Sequence, residues 1–124
     1  MQHFSYRKLW RSFGYALQGL KNLVRTEQNA LVHTVITTLL IFLVIVFHLG
    51  RLEIGLVFFA VGQVFAIEIV NTAIEKLLDI VHPETHSQIA FVKDALAGAV
   101  LIAACIALFV FVLVFYPHVL PLFR

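Results

Sequence analysis

The sequence predicts an all-α integral membrane protein with an N-terminal amphipathic surface helix and three membrane-crossing helices. Three observations carry this expectation. Of 124 residues, 61% are hydrophobic and only 13% charged, more apolar surface than a soluble domain of this size has interior to bury. Three apolar runs, at residues 30–48, 52–79 and 89–116, approach or exceed the roughly 20 residues a helix needs to cross hydrocarbon. Basic residues also gather on one side of these runs. Arg7, Lys8, Arg11, Lys21, Arg25, Lys76 and Lys93 flank one set of ends, and only Arg51 and Arg124 flank the other. That asymmetry places the N-terminus and the second connector in the cytoplasm and the C-terminus outside. The length holds a single domain, residues 1–124.

Residues 4–25 read as the surface helix. Phe13, Leu17, Leu20 and Val24 recur at helical spacing, while Lys8, Arg11, Gln18, Lys21 and Arg25 take the other side. Trp10 and several phenylalanines suit such a helix to the membrane surface. Basic and aromatic residues interleave through residues 1–25, without the apolar core or cleavage site of a signal peptide.

The first span, 30–48, is interrupted only by His33 and three threonines. The second stays helix-compatible over 52–79, about 40 Å at 1.5 Å per residue, so its inner third reaches the headgroups. Gly55 and Gly62 lie seven apart on one face of it, a spacing that predicts close helix packing. The third span, 89–116, is expected to stop at Pro117, with Pro121 beyond. The single cysteine, Cys105, lies inside this run and has no intrachain disulfide partner.

The chemistry concentrates at the inner end of the second span. On a helix, Glu68, Asn71, Thr72, Glu75 and Asp79 fall within roughly 100° of one another. Ile69, Val70, Ala73, Ile74, Leu77 and Leu78 make the opposite side wholly apolar. A carboxylate near hydrocarbon costs about 2.5–3.5 kcal/mol on insertion scales, so two acids on a buried face point to function before packing. Glu27, ahead of the first span, and Lys93-Asp94, at the start of the third, share their depth. Mg²⁺ is usually held by one or two carboxylates with waters and substrate phosphates. Glu27 and Glu75 have the right type and depth for that role, and Lys93 supplies a point charge for a nucleotide phosphate. The Walker A motif, the glycine-rich loop and the H-R-D segment of soluble kinases are missing, as is any nucleic-acid-binding pattern.

Glu68-x-x-Asn71-Thr72-Ala73-Ile74-Glu75-x-x-x-Asp79 resembles the signature of the small prokaryotic diacylglycerol kinases, a family of integral membrane lipid kinases. The likeness extends to Ser12-Phe-Gly14-Tyr15-Ala16 with Gly19, to Glu27-x-Asn29, and to Lys93-Asp94 followed by Ala99-Val100-Leu101. The resemblance implies that Glu75 is catalytic and binds Mg²⁺ together with Glu27. It implies that Glu68 and Asn71 meet the lipid hydroxyl. Nucleotide contacts fall on Lys8, Tyr15, Glu27, Glu75, Glu84, His86, Lys93 and Asp94, with Lys8 standing where some members have arginine. ATP is the implied co-substrate, and a homotrimer with sites shared between chains the implied assembly.

Family members phosphorylate either diacylglycerol or undecaprenol. Asn29 with His33, and Lys93-Asp94-x-x-Ala97-Gly98-Ala99-Val100-Leu101, look more like the undecaprenol kinase branch. The diacylglycerol branch more often has serine or alanine in place of Gly98. The expected activity is Mg-ATP-dependent conversion of undecaprenol to undecaprenyl phosphate at the cytoplasmic leaflet, with phosphatidate synthesis from diacylglycerol as the alternative. Two readings from other classes are an ion-coupled transporter subunit, since intramembrane acids also mark ion paths, and a silent membrane scaffold. Acids gathered at one interface argue against the first, and survival of the carboxylates and the Lys-Asp pair against the second.

Overall fold

A computed structural model describes residues 5–82 and 86–123. Four helices follow in order: α1 (Tyr6–Thr26), α2 (Gln28–Val46), α3 (Arg51–Val81) and α4 (Ser87–Val119), the last running into a short 3₁₀ turn, Leu120–Phe123. Among the described residues there is no strand. Three stretches, Gln28–Val46, Arg51–Val81 and Ser87–Phe123, are long and apolar enough to cross a membrane. Their outward surfaces carry large apolar side chains such as Leu39, Phe42, Phe59, Leu101 and Phe109. Such a surface is stable in a bilayer because lipid tails solvate it and the helices satisfy their own backbone groups.

A single residue separates α1 from α2. Glu27 is extended (φ −112°, ψ 120°), closing one helix as it opens the next. Its backbone N–H still donates to the Leu23 carbonyl at 2.9 Å. The chain therefore turns at a carboxylate. Within α2 the three threonines do not leave polar groups loose in the span. Thr34, Thr37 and Thr38 donate their hydroxyls to the carbonyls of Ala30, His33 and Thr34, at 2.8, 2.7 and 2.9 Å.

The turn into α3 passes through His48, the one non-glycine residue with positive φ (51°) among the described residues. Its Nδ1–H donates to the Val46 carbonyl at 3.1 Å. Leu49 then buries against Val57 and Val114. Gly50 donates its backbone N–H to Glu53 Oε2 at 2.7 Å, a capping contact at the start of α3. The other oxygen of Glu53 accepts from His118 Nε2 at 2.9 Å, tying the N-terminal end of α3 to the end of α4. Glu53 is thus an acid at the opposite end of α3 from Glu75 and Asp79, engaged on both oxygens in capping and joining helices.

α4 does not stop at Pro117, as the sequence led us to expect; the helix continues to Val119. Proline removes the N–H that would reach the carbonyl four residues back. Uncoiling here would instead expose several backbone groups to hydrocarbon, and the Glu53–His118 contact holds the following residue in register.

The most extensive helix pairing is α3 against α4. Ala60 and Val64 meet Ala103 and Ala107, all buried and each pair four residues apart. Small side chains on one stripe let two backbones approach closely, the main source of cohesion between helices in lipid. Gly55 and Gly62 do not do this within the chain: a Cβ built on either meets nothing within 4 Å. They lie off the stripe that Ala60 and Val64 present to α4. Ala103→Leu is therefore expected to pry α3 from α4 at a cost of about 1–3 kcal/mol, read as a lower thermal midpoint in detergent. Gly62→Ala is expected to leave that midpoint unchanged in the isolated chain.

Candidate functional site

Beyond its capped first turn and Gln63, the polar side chains of α3 lie along its C-terminal half. Glu68, Asn71 and Thr72 are the only buried polar or charged residues among those described, at 2%, 6% and 4% exposure. Glu68 is also the largest fully buried side chain. Two of their atoms, Glu68 Oε2 and Asn71 Oδ1, lie buried without a hydrogen-bond partner among the described residues. Both are acceptors. Leaving such atoms unmet costs about 1–3 kcal/mol each, more for a charged group, so the site is shaped for a hydrogen-bond donor.

Two turns further in, Glu75 is half-buried on the same face. Its neighbour Lys76 crosses to the α1–α2 corner, with Nζ 2.7 Å from Glu27 Oε1. A lysine at this depth has the option of snorkelling its ammonium to the headgroups. The extended backbone at Glu27 instead presents a carboxylate within its reach. The Lys76 ammonium, hydrogen-bonded to it, holds the Glu27 carboxyl below the usual carboxylate range. Thr26 Oγ1 adds a long contact to the same oxygen at 3.4 Å.

One turn beyond Glu75, Asp79 Oδ1 accepts from Lys93 Nζ at 2.6 Å. This ties the C-terminal end of α3 to the first turns of α4, where Asp94 is exposed beside Lys93. Asp79 is thus a partner of the expected nucleotide-binding lysine. His86 caps α4, its Nδ1 accepting from the Gln88 N–H at 3.3 Å. Glu84 lies outside the described residues. Lys8 and Tyr15 are exposed on α1. Nearby, a crevice of about 540 Å³ lies between Ala16, Gly19 and Leu23 of α1 and Thr72, Ala73 and Lys76 of α3.

The fold thus draws Glu27, Lys76, Asp79 and Lys93 into two cross-helix ion pairs bracketing Glu75, with the buried Glu68 and Asn71 farther into the span. Among the described residues no three His, Cys, Asp or Glu side chains converge on one point. Glu27 and Glu75, the two carboxylates expected to hold Mg²⁺, would suit an ion carried in with nucleotide phosphates and waters better than a caged metal. The ion pairs were not legible in the sequence. Lys76 stands at the edge of the polar stripe, but nothing local connects it to Glu27, forty-nine positions earlier.

Comparison with known proteins supplies the class of chemistry. A family model described as prokaryotic diacylglycerol kinase matches residues 14–115. The undecaprenol kinase of Bacillus subtilis is 31% identical over 110 residues, covering 89% of each chain. A diacylglycerol kinase of Synechocystis is 31% identical over 100 residues, 80% of this chain and 57% of that one. A diacylglycerol kinase of Haemophilus influenzae is 33% identical over 98 residues, 79% of this chain and 83% of that one.

Proposed function

This chain belongs to the prokaryotic diacylglycerol kinase family and is a lipid kinase, and from that premise we propose that it phosphorylates undecaprenol with Mg-ATP at the cytoplasmic face of the bacterial inner membrane. The observation that carries the reading is the pair of buried, unpartnered acceptors, Glu68 Oε2 and Asn71 Oδ1. A lipid hydroxyl is the donor a membrane delivers to that depth. The similarity to an undecaprenol kinase over 89% of both chains supports the choice of lipid. Diacylglycerol is the second reading, supported by the two diacylglycerol kinases that also resemble the chain.

In this mechanism Glu68 and Asn71 receive the hydroxyl and turn its oxygen toward the nucleotide. Glu75 is the catalytic carboxylate, taking the hydroxyl proton as the oxygen attacks the γ-phosphorus. A lipid O–P bond forms, the bond between the γ-phosphorus and the β,γ-bridging oxygen breaks, and ADP leaves. Glu27 and Glu75 would hold Mg²⁺, which would supply charge neutralisation for the phosphates. Lys93, Asp94 and His86 contact nucleotide from the α4 side and Lys8 and Tyr15 from α1, and Glu84 is a further nucleotide contact. Three spans bury little polar surface by themselves, so we further propose a homotrimer in which neighbouring chains complete each site. The N-terminus lies in the cytoplasm and the C-terminus outside.

The test is ATP-dependent phosphate transfer to undecaprenol and to diacylglycerol, presented separately in mixed micelles. Preference for undecaprenol supports the proposal; preference for diacylglycerol replaces its substrate. The Glu27–Lys76 contact gives a second expectation. Lys76 is a tethered cation on a proposed Mg²⁺ ligand, so Lys76→Ala is expected to lower the Mg²⁺ concentration for half-maximal activity by about threefold, the scale of an exposed ion pair. A Mg²⁺ titration of turnover checks it, and an unchanged midpoint would remove Lys76 from metal control.

A further inference from the structure

A cleft of about 220 Å³ opens between α2, α3 and α4, with His33 and Thr37 on one wall, Val64 and Phe65 on the second, and Ala104 and Phe111 on the third. It runs from His33 to Leu40 along α2, about 10 Å at 1.5 Å per residue. Its mean cross-section is therefore about 20 Å², the width of one extended hydrocarbon chain. The walls leave little unmet polarity, since the Thr37 hydroxyl already donates to the His33 carbonyl at 2.7 Å. Phe65 packs its ring on His33 at 6.1 Å between centroids, joining the α2 and α3 walls.

The cleft continues the lipid-hydroxyl site. On the helical projection of α3, Glu68 lies between the directions of Val64 and Phe65, about one turn, or 5 Å, farther in. The buried acceptors and the apolar cleft are thus successive stretches of one α3 face. An occupant bound to both has a hydroxyl at one end and a single hydrocarbon chain running straight from it.

We propose that this intramolecular cleft seats the tail of the substrate next to its hydroxyl and takes one chain only, which selects a single-chain polyprenol over a two-chain glycerolipid. The proposal rests on the undecaprenol reading and names the structural source of that preference. The tail leaves lipid rather than water to enter, so the gain is packing and alignment of the hydroxyl rather than hydrophobic transfer.

Filling the cleft from either wall tests this. Ala104→Leu and Thr37→Leu, on α4 and α2, are each compared with the wild-type chain on prenols of five, ten, fifteen and twenty carbons and longer. The reading is the wild-type to variant ratio of kcat/KM, in which partition of each prenol into micelles cancels. A hydroxyl at Glu68 and a cleft ending about 15 Å away put the first three isoprene units in contact with the walls. The ratio is expected to rise about tenfold between five and fifteen to twenty carbons, then stay level, and two variants on opposite walls guard against one that fails to fold. Prenol turnover with a ratio independent of length overturns the cleft proposal alone. If that flat ratio comes with a changed particle mass, the cleft belongs to a neighbouring copy instead. No turnover on any prenol by the wild type removes the substrate reading and this proposal together.

Discussion

Glu75→Gln is expected to lower phosphate transfer by at least about 10³-fold while leaving the helices and their assembly intact. In the proposed mechanism the carboxylate does two things that an amide cannot. It accepts the hydroxyl proton, a contribution of about 10²–10⁴-fold, and it offers a hard anionic oxygen to Mg²⁺. A loss of 10³ corresponds to about 4 kcal/mol of transition-state stabilisation. The fold has little stake in the charge. Glu75 is half-buried, and the ion pairs joining the inner helix ends run through its neighbours, Glu27 to Lys76 and Asp79 to Lys93. The measurement is single-turnover phosphate transfer beside a detergent melting curve. Near wild-type transfer would take the catalytic role from Glu75, and a collapsed melt would show that its role is structural.

Glu68→Leu is expected to split stability from activity in the opposite way. Glu68 is buried at 2% exposure with Oε2 unmet, which costs about 1–3 kcal/mol in the free protein. A leucine of similar size removes that penalty, so the thermal midpoint in detergent should rise by a few degrees. Transfer to lipid should fall by about 10²-fold or more, because the hydroxyl loses the acceptor that orients it. ATP binding, carried by residues farther in, should change little. Stabilisation with loss of function is expected where a chain keeps an uncompensated polar group for its substrate. A destabilised variant would mean that Glu68 is satisfied in the assembled protein by a neighbouring chain.

Much of the helical layout was legible because hydropathy reads directly as solvent preference. Apolar runs near 20 residues long have few alternatives in a bilayer, and the span-capable helices Gln28–Val46, Arg51–Val81 and Ser87–Phe123 overlap the runs at 30–48, 52–79 and 89–116, the first ending two residues early. The end of α4 was misread for a reason of environment. In water proline ends a helix, whereas near hydrocarbon the alternative of unpaired backbone costs more than the lost bond, and α4 passes through Pro117. Seven-residue spacing puts Gly55 and Gly62 on one face but does not say which neighbour that face meets, and within the chain it is not α4. Ala60 and Val64 hold that position against Ala103 and Ala107.

The sequence by itself determined the membrane class, the family resemblance and the stripe from Glu68 to Asp79, since composition and helical spacing are local properties. The tertiary structure alone decided what that stripe touches. It joined Lys76 to Glu27 and Lys93 to Asp79, left Glu68 and Asn71 with unmet acceptors, and opened an apolar cleft beside Val64 and Phe65, one turn from Glu68. The physical reason is the range of the forces involved. Spacing along one helix fixes direction, but a hydrogen bond or ion pair acts over a few ångströms between residues far apart in the chain, and only packing brings them that close.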